Sequence, residues 1–165
     1  MPRKRRRRSR APIIDYRTYI FRIASWEPSY SFALNEGRFG HGPYWEHVEL
    51  IVSGECLAPS KTAGRIGKLT FLGNREESRT LEQSLDSDRQ PLCVGTLTVR
   101  GDRTEYLGSI PFDALWGLVG ALSSGTLKFM DMYGERLRYG SARIRSINFC
   151  RELDPDDLEF ARQQA

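Results

Sequence analysis

The chain has 165 residues, 39% hydrophobic and 28% charged: long enough to bury a core and too apolar for a disordered protein. Its formal charge of +4 sits at one end, because seven of the first ten residues are Lys or Arg, leaving 18 basic against 21 acidic residues, a net of −3, for positions 11–165. No apolar run reaches the roughly 18 residues of a membrane-spanning helix, and the stretch after the basic start is broken by Asp15, Arg17 and Arg22, unlike a signal peptide.

Residues 1–12, MPRKRRRRSRAP, read as a disordered arm, since clustered like charges bury nothing. Arg3, Lys4, Arg5, Arg6, Arg7, Arg8 and Arg10 are candidate nucleic-acid contacts, because guanidinium forks pair with phosphate oxygens. A nuclear-localisation signal has the same pattern, and an inert solvated tail is the plain alternative. Folding back onto the acids Glu152, Asp154, Asp156, Asp157 and Glu159 is a weaker option, since exposed ion pairs contribute only about 0–1 kcal/mol each.

Residues 13–165 are expected to form a single globular domain dominated by a period of two. RTYIFRIAS sets Tyr19, Phe21 and Ile23 on one face, against Thr18, Ile20 and Arg22, and SYSFALN does the same with Tyr30, Phe32 and Leu34. Both read as half-buried antiparallel strands. EGRFGHGPYWEH, residues 36–47, is glycine-rich and holds both histidines. Its Arg38, Phe39, His41, Tyr44, Trp45 and His47 are the candidate ligand or partner loop, because aromatics beside arginine stack on rings and bases. The H-x4-E-H spacing matches no helical zinc motif, so no metal, cofactor or catalytic residue is assigned.

Further along, WEHVELIVSGEC groups Val48, Leu50, Val52 and Cys56, and strands follow at 65–73 and 92–99, separated by a polar surface excursion at 74–90. VRGDRTEYLGSI is a hairpin with Gly101–Asp102 at its tip, which accounts for its RGD tripeptide structurally. PFDALWGLVGALSSG spaces Leu115, Leu118, Val119 and Leu122 as a helix over 111–123. Its apolar character suggests a buried plug or a lid, with Gly117 and Gly120 allowing close approach to a sheet. RLRYGSARIRSINF reads as another hairpin, turning at Gly140–Ser141. In LDPDDLEFARQQA, Asp154 is placed to cap a helix over 155–163, with Leu153 and Leu158 as a hydrophobic staple. The sum is a mainly β fold, an antiparallel sandwich or barrel-like arrangement of about nine strands with one inserted helix and one closing helix.

Cys56, Cys93 and Cys150 are odd in number and widely spaced, which argues against a disulfide framework and for an intracellular setting, cytoplasmic or at a nucleus or nucleoid. GRIGKLTFLG lacks the phosphate-loop spacing, and no nucleophile-elbow or paired-cysteine motif occurs. The composition therefore favours a non-enzymatic intracellular binding module whose arm makes sequence-independent contacts to nucleic acid or another polyanion. A protein-interaction or assembly domain with an incidental arm is the first alternative, and an enzyme with a site at 36–47 the second.

Overall fold

The computed structural model describes residues 15–34, 43–73 and 93–164. Seven strands make up β1 (Tyr16–Leu34), β2 (Tyr44–Ala58), β3 (Ile66–Gly73), β4 (Gly95–Arg100), β5 (Arg103–Ser109), β6 (Phe129–Glu135) and β7 (Ser141–Cys150). Helix α1 (Phe112–Ser123) joins β5 to β6, and α2 (Pro155–Gln163) follows β7. The strands close into a barrel in the order β1-β2-β3-β5-β4-β7-β6. All neighbours are antiparallel except β3 and β5, which are parallel. The expected antiparallel arrangement is thus corrected to a mixed one. β4 lies on the far side of β5 and runs antiparallel to it, so β4 returns the chain and lets β5 run parallel to β3. The expected excursion at 74–90 lies outside the described residues.

The described residues form seven strands where about nine were expected. RTYIFRIAS and SYSFALN are one strand, β1, and a register shift between Ile23 and Ser25 leaves Ala24 without a partner on β2. One extra residue reverses which side chains face inward. Tyr19 and Phe21 are fully buried before it. Beyond it Trp26 opposes Val52 and Tyr30 opposes Val48, two core residues of β2.

Val48, Leu50, Val52 and Cys56 are all inaccessible, as their alternation requires, and they pack with Leu69, Phe71, Leu97, Met130 and Ile144 inside the barrel. Tyr106 crosses this interior above the directly paired Gly95 and Gly108, its hydroxyl donating to the Val94 carbonyl at 3.0 Å. A Cβ on Gly108 would lie 1.9 Å from that hydroxyl oxygen, and one on Gly95 2.3 Å from it. Only glycine leaves room for the phenol here.

Ile20, expected to face outward with Thr18 and Arg22, is buried too. It joins Leu57, Ala58 and Ala161 in a second cluster beneath α2, against which Leu153 and Leu158 pack. Asp154 caps α2 by accepting the Asp156 N–H at 2.9 Å, so this acid of the 152–159 group has a structural role. Helix α1 sends Phe112, Leu115 and Leu122 into the main core, but Trp116 is exposed and nothing stands within 4 Å of a Cβ on Gly117 or Gly120. The expectation that these glycines bring the helix close to a sheet is therefore wrong. The helix buries one stripe and leaves the other in solvent, as an amphipathic helix does.

Burial raises the Tyr19 hydroxyl from 10.0 to about 12, and also pushes up the Tyr106 hydroxyl and the Cys56 thiol. These groups are neutral when protonated, so at high pH the unfolded chain loses their protons first. Stability is therefore full below the unfolded values and is lost as pH rises toward the folded ones. The denaturation midpoint should hold steady through neutral pH and fall from about pH 9 upward. A midpoint unchanged well above that range would mean the phenols are already solvated in the folded state.

Candidate nucleic-acid interface

Two turns meet at the barrel end where β1 begins. In the β4–β5 hairpin Arg100 and Arg103 are direct partners, with Gly101 (φ 59°) and Asp102 between them. In the β6–β7 hairpin Arg138 and Ser141 exchange both backbone hydrogen bonds, at 2.8 and 3.0 Å, around a two-residue loop of Tyr139 and Gly140. Both loop residues have positive φ, 53° and 79°, the geometry that suits the twist of a hairpin. The turn is thus one residue earlier than the expected Gly140–Ser141. The Val99 N–H donates to the Gly140 carbonyl at 2.7 Å, tying the turns together. Arg65 donates from Nη1 to the Gly101 carbonyl.

The charge here is uneven. Residues 99–103 and 134–145 carry six arginines against two acids, a net of +4. Arg143 pairs with Glu135 at 2.9 Å and Arg136 with Asp15 at 3.6 Å, while Arg145 lies 5.7 Å from the centre of the Tyr16 ring. Arg100, Arg103 and Arg138 pair with no carboxylate among the described residues. Like charges set directly opposite on adjacent strands cost stability, so the Arg100–Arg103 pair does not serve the fold. The face also carries aromatic rings: Tyr16 stacks on Tyr133 with centroids 5.2 Å apart, and Tyr139 is fully exposed. Asp15 accepts the Arg136 N–H at 2.7 Å, so the chain preceding residue 15 is attached beside this hairpin.

The arm residues Arg3, Lys4, Arg5, Arg6, Arg7, Arg8 and Arg10, and Arg38, Phe39 and His41 of the 36–47 segment, lie outside the described residues. Tyr44, Trp45 and His47 belong to β2 and are divided between its two faces. Trp45 and His47 stack on each other at 5.5 Å on the outer face. Tyr44 stacks on Phe32 at 5.2 Å on the other, where the inward face of the barrel continues into solvent. β3 pairs with β2 only from Val48 onward, and β6 pairs with β1 only as far as Arg22. The remaining β1–β2 ribbon exposes Tyr30, Phe32, Leu34 and Tyr44, with Trp116 of α1 6.1 Å from the Tyr30 ring.

Among the described residues no group of three or more His, Cys, Asp or Glu is placed to hold a metal ion. A shallow cavity of about 200 Å³ between Glu55, Ser60, Gly64 and Arg162 is lined by Cys56. That thiol donates to the Ala58 carbonyl (3.2 Å) or the Thr62 hydroxyl (3.3 Å), and burial raises it, the opposite of an activated nucleophile.

Sequence reasoning missed the β6–β7 face. Arg136, Arg138, Arg143 and Arg145 fall within ten residues around Tyr139, a local excess hidden by the net charge of −3 over residues 11–165. Counting basic residues along each strand pair would have found it. Comparison with protein-family models, curated proteins and solved structures finds no match to this chain. Fold and surface together describe a mixed seven-stranded barrel with an arginine- and tyrosine-bearing hairpin at one end.

Proposed function

We propose that the protein is a non-enzymatic binding module that holds nucleic acid by its phosphates, with the basic arm and the Arg-bearing barrel end forming one grip. The observation that carries this reading is the set Arg100, Arg103 and Arg138: three arginines with no carboxylate partner among the described residues, clustered on two joined turns beside the root of the arm. Repulsion between them is relieved by an anion, and a phosphate accepts the guanidinium fork in bidentate fashion. Such contacts fix position without reading sequence.

A protein-interaction role is the second reading, favoured by the exposed Tyr30, Phe32, Leu34 and Tyr44 face, since contiguous apolar surface marks contact sites. The two readings separate on salt. The triple variant Arg100→Ala, Arg103→Ala, Arg138→Ala should elute from immobilised duplex DNA at lower salt than the parent, with a thermal midpoint no lower. Elution together with the parent would remove the barrel end from the grip. Failure of the parent to bind at low salt, with salt-insensitive self- or partner association, would leave the ribbon as the functional surface.

A further inference from the structure

We infer that the hairpin end selects single-stranded over duplex nucleic acid, with Tyr139 as the platform on which an unpaired base stacks. The inference rests on the phosphate-binding reading above and adds to it the form of the ligand. Its starting point is a local misfit between residue and backbone. Tyr139 holds φ at 53° and is fully exposed. A bulky side chain in the left-handed region is a genuine outlier, and this loop position suits Asn or Gly. The ring offsets nothing by burial, because it covers no neighbour.

What the position does provide is an exposed aromatic face on a two-residue turn closed by both Arg138–Ser141 backbone hydrogen bonds. Its flanks are cationic: Arg138 precedes it, and the Gly140 carbonyl is bonded to Val99, next to Arg100. On the outer face of the same hairpin Tyr133 is exposed and stacked on Tyr16, with Arg145 against the Tyr16 ring. Alternating aromatic faces and guanidinium groups along a strand pair is the chemistry that binds single strands, where bases stack on rings while the backbone follows the positive charge. In a duplex the bases are already stacked on one another, so a lone ring on a convex turn finds no free face.

The test uses the full chain, with labelled oligothymidylate and a duplex of equal length compared at low salt. Tyr139→Asn removes the ring and keeps a residue that tolerates the left-handed turn, so the variant should fold at least as stably as the parent. Tyr139→Phe keeps the ring. The Asn variant should lose about five- to a hundredfold in single-strand affinity, with duplex affinity changed by less than about twofold, and the Phe variant should match the parent on both. Equal weakening on both ligands, no weakening on either, or a loss in the Phe variant equal to that in Asn, would overturn stacking while leaving the phosphate grip in place. Absence of binding to either ligand by the parent would overturn the grip itself, and the stacking with it.

Discussion

Gly108→Ala should destabilise the barrel by about 3 kcal/mol or more, at the upper end of overpacking effects, and Gly108→Val should prevent folding. The new Cβ would sit 1.9 Å from the Tyr106 hydroxyl oxygen and 2.4 Å from the Val94 carbonyl oxygen. The first contact is with a side chain that is itself pinned: Tyr106 is nearly inaccessible, tilts against Phe71 at 5.2 Å and spends its hydroxyl on Val94. The second is with backbone, which no rotamer change relieves. Domains are stable by about 5–15 kcal/mol in total, so the alanine variant should unfold many degrees early. Tyr106→Phe isolates the cause. Alone it forfeits one buried hydrogen bond, about 1 kcal/mol. Combined with Gly108→Ala it removes the atom in the worst contact, so the double variant should be clearly more stable than the two single losses predict. Strict additivity in thermal unfolding would show that the contacts left after loss of the hydroxyl, with the Val94 carbonyl oxygen at 2.4 Å and the ring Cζ at 2.5 Å, set the cost.

The same pair of glycines shows what a sequence conceals. Gly95 and Gly108 are 13 positions apart, and nothing local announces that one tyrosine lies across both. By contrast β2 was legible residue by residue, since Val48, Leu50, Val52 and Cys56 keep one phase against a single core. β1 was legible in its alternation but not in its continuity. The extra residue at Ala24 changes the phase, and a phase change in a period-two pattern looks like the end of a strand. In the last hairpin the turn was displaced by one because a tyrosine is not expected at positive φ. Helix α1 was visible in its spacing, while the open surroundings of Gly117 and Gly120 depend on which side of the helix meets the barrel. The candidate site suffered from averaging. A net charge for residues 11–165 adds the acids 152–159, at and within the start of α2, to arginines elsewhere, and the sum hides both.

Removal of residues 1–10 should weaken nucleic-acid binding steeply without abolishing it, and the salt dependence should show why. Each phosphate neutralised adds about −0.9 to the slope of log affinity against log salt on duplex DNA. Seven arm residues with Arg100, Arg103 and Arg138 give a slope of about −9 for the intact chain, and the three barrel-end arginines alone give about −3. Raising salt from about 50 to 200 mM should then cost the intact protein roughly five orders of magnitude in affinity, and the truncated protein less than about a hundredfold. The loss should be the same on unrelated sequences, because contacts to phosphate fix position and carry no sequence information. The arm's attachment beside Arg136 lets both parts engage one strand, since ten extended residues reach about 35 Å. Titration of the intact and truncated chains over a range of salt decides between the parts. A truncated protein with a slope near zero would mean the arm binds alone and the barrel end takes no share. Equal slopes for the two chains would mean the arm makes no phosphate contact, and binding would then belong to the hairpin face by itself.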